Sequence, residues 1–277
     1  MSPDEYCQER AAASGSSFYY SFLFLEPRRR QAITAFYAFC REIDDVVDEC
    51  PDAALARTKL TWWRSEVQAL YEGHPTHPVT QALMESLKHF SLPQEQLQEI
   101  IDGMEMDLEQ VGYADFKTLH LYCYRVASVV GLLTAEIFGY KDRQTLKYAH
   151  DLGLAFQLTN IIRDVGEDAQ RGRIYLPQDE LHRFGVTSDD LRHARYGDNV
   201  SRLMAFQVER ASGMYRQAFA QLPAGDRKAQ RSGLIMAAIY QATLAEIVRD
   251  NYRVLDQRIS LPPLRKLWLA AKTWLSA

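Results

Sequence analysis

No proline falls between Pro93 and Pro177. Inside a helix a proline removes a backbone donor and clashes with the turn before it, so a stretch this long without one is open to long, unbroken helices. Helix signals recur on either side of it. Ser2-Pro3-Asp4-Glu5 has the form of a capping box with proline at the first helical position, starting a helix that runs towards Ala13 until Ser14-Gly15-Ser16-Ser17 breaks it. The aromatic segment Phe18 to Leu25 follows, and Pro27 fits the first turn of a helix that ends at Cys50-Pro51-Asp52. Ala53 to Tyr71 reads as amphipathic, with Leu55, Leu60, Trp63, Val67 and Leu70 inward and Gly73-His74-Pro75 as its stop. Val79 to Phe90 forms another helix, and Ser91-Leu92-Pro93-Gln94 is a second capping box. Tyr122 to Phe138 is apolar, with Ala127, Ser128 and Gly131 small enough to admit a neighbouring helix or a bulky ligand. Leu146 to Asp164, a helix begun by Thr187-Ser188-Asp189-Asp190, Val200 to Leu222 and Gly233 to Asp256 complete the array. Gly166 to Pro177, bracketed by Gly166 and Gly172 and rich in charge, is expected to be a mobile loop. No convincing strand alternation is present. The predicted class is all-α, and residues 1–277 are expected to form one domain large enough to enclose a deep apolar pocket.

Two short acidic motifs stand out on these helices. Asp44-Asp45-Val46-Val47-Asp48 returns in altered form as Asp164-Val165-Gly166-Glu167-Asp168, each spacing two aspartates at i and i+4. On a helix that spacing stacks both carboxylates on one face, with Cβ atoms roughly 6 Å apart. One pair means little in a chain where 36 of 277 residues are acidic. The surroundings change that. Stepping back by helical intervals extends the first pair to Arg41 and Tyr37 and the second to Asn160 and Gln157, two polar stripes on otherwise apolar helices. Such helices are buried on most sides. Buried acids are costly unless paired or bound to metal, so two stripes of this kind predict a shared interior site.

A formal net charge of -4 argues against a general polyanion binder, and nucleic acid is not an expected partner. No run of apolar residues approaches the length of a membrane span, since Val126 to Ala135 is broken by Ser128, Gly131 and Thr134. The acidic start Met1-Ser2-Pro3-Asp4-Glu5 lacks the basic and apolar regions of a signal peptide, so a cytoplasmic location is expected. Cys7, Cys40, Cys50 and Cys123 show no metal-ligand spacing and read as reduced thiols. The tail, Leu264 to Leu275, collects Leu264, Leu267, Trp268, Ala271, Trp274 and Leu275 near one face, with Arg265, Lys266 and Lys272 elsewhere. Two readings fit it equally: a peripheral contact with the inner face of the cytoplasmic membrane, or a terminal helix packed on its own domain.

Paired aspartates from two facing helices are hard oxygen ligands suited to magnesium, or manganese in its place, completed by water and phosphate oxygens. Arg41 and Arg163 beside the motifs, and Arg171 and Arg173 after the second, complement the charge of a diphosphate. Metal and arginine charge together stabilise a diphosphate leaving from carbon. The carbocation left behind needs a dry pocket, which Phe18, Phe22 and Tyr37 are placed to shield. An apolar pocket also suits a prenyl chain, each buried CH2 contributing about 0.8 kcal/mol.

Cys40-Arg41-Glu42-Ile43-Asp44-Asp45-Val46-Val47-Asp48, Tyr122-Cys123-Tyr124-Arg125-Val126-Ala127-Ser128-Val129-Val130-Gly131 and Gln157-Leu158-Thr159-Asn160-Ile161-Ile162-Arg163-Asp164-Val165-Gly166-Glu167-Asp168, followed by Arg171-Gly172-Arg173-Ile174-Tyr175-Leu176-Pro177, resemble the squalene and phytoene synthase family. The resemblance covers nearly the whole chain, and Ser14 to Phe22 most resembles the bacterial hopanoid-pathway branch, whose members make presqualene diphosphate. It implies an all-α isoprenoid synthase bundle around a central apolar cavity. It further implies that Asp44, Asp48, Asp164 and Asp168 hold magnesium, that Arg41, Gln157, Asn160 and Arg163 contact diphosphate or metal-bound water, and that Ser17 and Phe18 lie at the donor site. Tyr240 and Arg258 match C-terminal substrate contacts, and Tyr122 falls where relatives carry a tyrosine implicated in the cation chemistry, either orienting diphosphate or stabilising charge. The implied reaction ionises one farnesyl diphosphate, joins its C1 to the C2–C3 double bond of a second and closes a cyclopropane by proton loss, with the released diphosphate as a plausible base. Downstream enzymes of squalene or hopanoid synthesis are the implied partners, and no NADPH is expected. The resemblance leaves open a phytoene or dehydrosqualene synthase and a complete NADPH-dependent squalene synthase. Phe22, Leu132 and Leu133 are the side chains expected to set cavity depth. Two other classes also remain: an HD-type metal phosphohydrolase, suggested by His150-Asp151 although His74, His77 and His89 lie in or near turns, and a non-catalytic helical scaffold whose acids bind partner arginines.

Overall fold

The computed structural model describes residues 1–13, 21–22, 25–50, 52–109 and 112–276. Among these no β-strand forms, and a single parallel bridge joins Gly112 to Ile174. In chain order the helices are α1 (Pro3–Ala13), α2 (Pro27–Asp48), α3 (Ala53–Glu72), α4 (Pro78–Leu87), α5 (Gln94–Glu109), α6 (Phe116–Cys123), a π-helical turn (Tyr124–Ser128), α7 (Val129–Phe138), α8 (Gln144–Gln170), α9 (Gln178–Phe184), α10 (Ser188–Arg192), α11 (Asp198–Gln221), a 3-10 turn (Ala224–Asp226), α12 (Arg231–Arg249) and α13 (Pro263–Ser276).

The start signals work as their chemistry dictates in most places. Ser2 and Glu5 cap α1 reciprocally, Ser2 N donating to Glu5 Oε2 at 2.7 Å and Glu5 N to Ser2 Oγ at 3.3 Å. Thr187 and Asp190 do the same for α10. Gly73 closes α3 at φ 86°, a left-handed turn that a Cβ would strain. The expected box at Ser91 is not made: its amide donates to Glu136 Oε1 at 3.4 Å. Leu55, expected inward, is 48% exposed in the first turn of α3.

The largest departure lies after the second acidic motif. Instead of loosening at Gly166, α8 continues to Gln170. A Cβ on Gly166 would run into the backbone of Leu255, so the missing side chain admits a returning loop and does not break the helix. The remaining residues to Pro177 are held in place. Arg173 N donates to Asp168 O at 2.8 Å, Ile174 bridges to Gly112, and Ile174, Tyr175 and Leu176 are buried. The expectation of a mobile loop fails because apolar residues inside this charged stretch anchor it. Likewise α12 stops at Arg249, where Asn251 and Tyr252 adopt positive φ and turn the chain back to bring Leu255 onto Gly166.

Two apolar clusters build the interior. One joins α1 to α5 with α7, and α2 supplies Ile33, Phe36, Phe39 and Ile43, each almost fully buried and contributing roughly 1.5–3 kcal/mol. The other gathers α6, α8, α11 and α12. Val126, in the π-helical turn, packs against both. The turn is gripped from either side: Gly103 of α5 leaves room for the Val126 side chain, and Gly153 of α8 for the Ala127 carbonyl. Gly131 similarly lies on the Ala149 carbonyl, and Ser128 Oγ donates to His150 O at 2.9 Å. The small residues at 127, 128 and 131 therefore admit a neighbouring helix, α8. Through the π turn, Phe116–Phe138 is one continuous 23-residue helix, and an 18-residue window of it with a mean hydropathy of 1.4 is enough, by length and composition, to cross a membrane. Inside the bundle it packs against α5 and α8, as a core helix of this composition does.

Candidate active site

The seam between the two clusters opens into a cavity of about 750 Å3. α2 brings Tyr37, Arg41, Asp44 and Asp48 to it from one side, and α8 brings Gln157, Asn160, Arg163, Asp164 and Asp168 from the other. Both acidic stripes thus face one space. Arg171 and Arg173, the loop residue Arg258, and Tyr240 of α12 complete the mouth, while Phe22, Phe36, Ile100, Met104 and Val130 make the apolar depth. Tyr122 of α6 lines the wall. Ser17 and Phe18 lie outside the described residues. Phe22 is buried with its ring edge-on to Tyr37, centroids 5.9 Å apart.

Arginines fold onto the aspartates. Arg41 Nη1 donates to Asp44 Oδ2 at 2.6 Å and its Nη2 to Asp45 Oδ1 at 2.5 Å. Arg173 pairs with Asp48 at 2.5 Å and also reaches the carbonyl of Val47. Arg163 makes a two-pronged pair with Asp164, which Arg258 Nε joins at 2.9 Å. Arg171 turns to Glu167 at 2.8 Å. Asp168 is the exception. Among the described residues no donor reaches its carboxylate, and burial, reinforced by Asp164, pushes it up to about 7. Burial and the neighbouring Asp48 push Asp44 up to about 6 against the pull of Arg41.

Sequence reasoning missed the acid at the centre of the wall. Asp107 of α5 accepts from Tyr122 Oη at 2.9 Å and Tyr175 Oη at 3.0 Å, and burial raises it to about 6 although both hydroxyls and Arg173 oppose the shift. Tyr113 closes this aromatic group, its ring 5.5 Å from Tyr122 and 6.0 Å from Tyr175. The signal was present but weak: Ile100, Met104 and Asp107 share a helical face. Lys266 at the rim was also missed as a site residue.

A divalent cation fits these residues on three observations. Asp48 and Asp168 sit in the last turn of their helices, where the backbone dipole disfavours negative charge and a cation is favoured. Two of the carboxylates are forced towards protonation by burial and like charge. Asn160 Oδ1, buried in the wall, has no partner. Among the described residues no group of three or more His, Cys, Asp or Glu side chains is placed to hold a metal ion by itself. A pair of carboxylates completed by water and phosphate oxygens is the pattern magnesium accepts.

A second, apolar cavity of about 160 Å3 adjoins the first, sharing Val126, Val130, Thr134, Gln157, Asn160 and Tyr240 as its partition. Gly131, Gly153 and Phe156 line it further in. Leu132 and Leu133, expected to set depth, line neither cavity; Leu133 belongs to the core on the other side of α7. His150 lies off both cavities, with its ring nitrogen on Asp151 at 2.9 Å, so the helix dipeptide builds no metal site with His74, His77 or His89.

Comparison with known proteins agrees with this geometry. The squalene/phytoene synthase family profile matches residues 11–265. The chain is 35% identical over 276 residues to a phytoene synthase of Arthrospira platensis, covering 95% of this chain and 89% of that one. It is 38% identical over 244 residues to a presqualene diphosphate synthase of Rhodopseudomonas palustris, covering 88% and 87%. A crystal structure of a dehydrosqualene synthase in complex with ligand superposes with a TM-score of 0.87 at 29% identity, covering 99% and 96%. The chain belongs to the squalene/phytoene synthase family of head-to-head prenyltransferases, with the helical isoprenoid synthase fold.

Proposed function

We propose that this chain condenses two molecules of farnesyl diphosphate head to head, in the presence of magnesium, to presqualene diphosphate with release of diphosphate. The observation that carries the reading is the meeting of two aspartate pairs and their arginines at the mouth of a cavity with an apolar depth and an apolar side branch. One mouth and two apolar spaces suit two prenyl diphosphates. Magnesium, held by Asp44 and Asp48 on one side and Asp164 and Asp168 on the other, would neutralise the diphosphates and favour departure of one of them.

The chain's own side chains do the rest. Arg41, Arg163, Arg173 and Arg258 swing from aspartate to diphosphate as the pairs are opened, and Arg171 and Lys266 add charge at the rim. Gln157 and Asn160 orient oxygens at the mouth. Phe22 and Tyr37 shield the carbocation from water, and Tyr240, beside Phe156 at 4.8 Å, closes the partition. Tyr122 is held by Asp107 with its ring near the cation's path.

The C15 choice draws on the presqualene diphosphate synthase at 38% identity. The phytoene synthase at 35% favours a second reading, condensation of two C20 geranylgeranyl diphosphates. The test is to incubate purified protein and magnesium with each diphosphate, with and without NADPH, and identify every lipid product by mass. Presqualene diphosphate from the C15 substrate with or without NADPH is expected. Preferred turnover of the C20 substrate refutes the chain length, and squalene formed only with NADPH makes the chain a complete squalene synthase.

A further inference from the structure

α13 is packed inside out. A terminal helix resting on its own domain turns its apolar face inward, and here only Ala270 is buried, with Leu269 and Trp274 partly covered against α12. The opposite face carries Leu264 (80% exposed), Leu267, Trp268 (59% exposed) and Leu275 (85% exposed). At helical spacing these four form one stripe, with Ala271 between them. Apolar surface gathered in this way marks an interaction face.

Charge identifies the partner. α13 holds Arg265, Lys266 and Lys272 and no acid, in a chain whose formal net charge is -4. Arg265 pairs with Glu246 of α12 and Lys266 lies at the cavity rim, so Lys272 is the cation presented at the stripe. Lys272 stands at the edge of the stripe with its ammonium 5.0 Å from the centre of the Trp268 ring, so a cation and an indole share one border of the apolar face. Tryptophan beside lysine at the edge of an apolar stripe suits the boundary between lipid headgroups and acyl chains. We propose that α13 lies in the surface of an anionic lipid bilayer through Leu264, Leu267, Trp268 and Leu275, docking the whole protein there. Lys266 belongs both to α13 and to the rim of the main cavity, so docking sets the cavity mouth beside the membrane. That consequence for lipid-tailed substrates rests on the isoprenoid reading above; the docking itself does not.

The experiment is co-sedimentation of the full chain with vesicles of equimolar phosphatidylcholine and phosphatidylglycerol, set against pure phosphatidylcholine. Binding to the mixed vesicles, weakened by added salt, is expected. The triple variant Leu264→Ser, Trp268→Ser, Leu275→Ser is expected to lose about tenfold or more of that affinity with its melting temperature unchanged, because the replaced side chains touch solvent. Lys272→Gln, which leaves the apolar stripe intact, is expected to lose about fivefold on the anionic vesicles alone. Failure of the wild-type chain to bind, or binding that the triple variant retains, overturns the proposal. A dimer in sedimentation velocity that the triple variant abolishes, with no vesicle binding, overturns it in favour of a second copy of the chain as the occupant. Enzyme turnover is measured in parallel on a detergent-solubilised substrate, so loss of docking and loss of catalysis are read separately.

Discussion

The acidic motif of α2 and that of α8 share their spacing and little else. On α2, Arg41 serves Asp44 and Asp45 within a turn, while Arg10 reaches Asp45 from α1 and Arg173 reaches Asp48 from beyond α8. On α8, Asp164 is shared between its neighbour Arg163 and the remote Arg258, and among the described residues no donor reaches the Asp168 carboxylate. The central residue differs too. Val46 is buried in the core where α8 has Gly166, whose absent side chain makes the seat for Leu255. The loop resting on that seat carries Arg258. Both motifs are therefore completed by chain from far away, and only the second needs a glycine to seat the chain that returns.

Removing a carboxylate from each side tests whether both serve one reaction. Asp48→Ala and Asp164→Ala are each expected to lower turnover by about a thousandfold while the circular dichroism spectrum stays helical. Retained activity in either breaks the equivalence and the metal assignment with it. A smaller effect separates the two seats. Gly166→Ala is expected to cost about 1–3 kcal/mol in chemical denaturation and to raise KM by displacing the Arg258 loop. Val46→Ala is expected to destabilise the fold without changing KM.

Ligands test the ion pairs themselves. A cation that takes Asp44 frees Arg41, and an anion that takes Arg41 frees Asp44, so magnesium and inorganic diphosphate together are expected to raise the melting temperature by more than the sum of their separate shifts. Equal or smaller joint stabilisation would favour the non-catalytic scaffold.

The smallest effect is in pH. Asp168 titrates in the unfolded chain at its ordinary 3.8 and in the fold at about 7, so between those values the folded chain binds more protons. Its contribution is fully present below the unfolded value and is lost as pH rises to about 7. In melts without divalent cation, wild type is expected to lose stability relative to Asp168→Asn between about pH 4 and pH 7. Asp44, pushed up to about 6, shifts stability in the same direction over a narrower window.

Local chemistry was legible where it is truly local. The helix starts at Ser2 and Thr187, the stop at Gly73 and the two acidic stripes follow from side chains within four residues of one another. Tyr37, Arg41, Asp44 and Asp48 of the first stripe and Gln157, Asn160, Asp164 and Asp168 of the second all line the main cavity, because helical periodicity fixes which face a side chain occupies. Tyr122, Tyr240 and Arg258, which the family resemblance pointed to, line it too. What failed depended on tertiary context. Asp107 was hidden on an acidic helix whose neighbours Asp102 and Glu105 pair with Arg64, and only the tyrosines of α6 and of the loop before α9 set it apart. Gly166 looked like punctuation because its reason for being glycine lies at Leu255. Leu132 and Leu133 were placed in the pocket by hydrophobicity alone, and the π turn ahead of them faces other residues to the cavities.

That turn also bears on how such a chain tolerates change. A π-helical turn holds one residue more than the α-helix it interrupts. Deleting a single residue between Tyr124 and Ser128 would restore ordinary winding and leave Tyr122 and Val130, walls of the same cavity, still facing it together. A second deletion would find no surplus to remove and would rotate one half of the helix against the other by about 100°. Loss of one codon is therefore absorbed at this turn, whereas loss of two would dismantle the pocket wall.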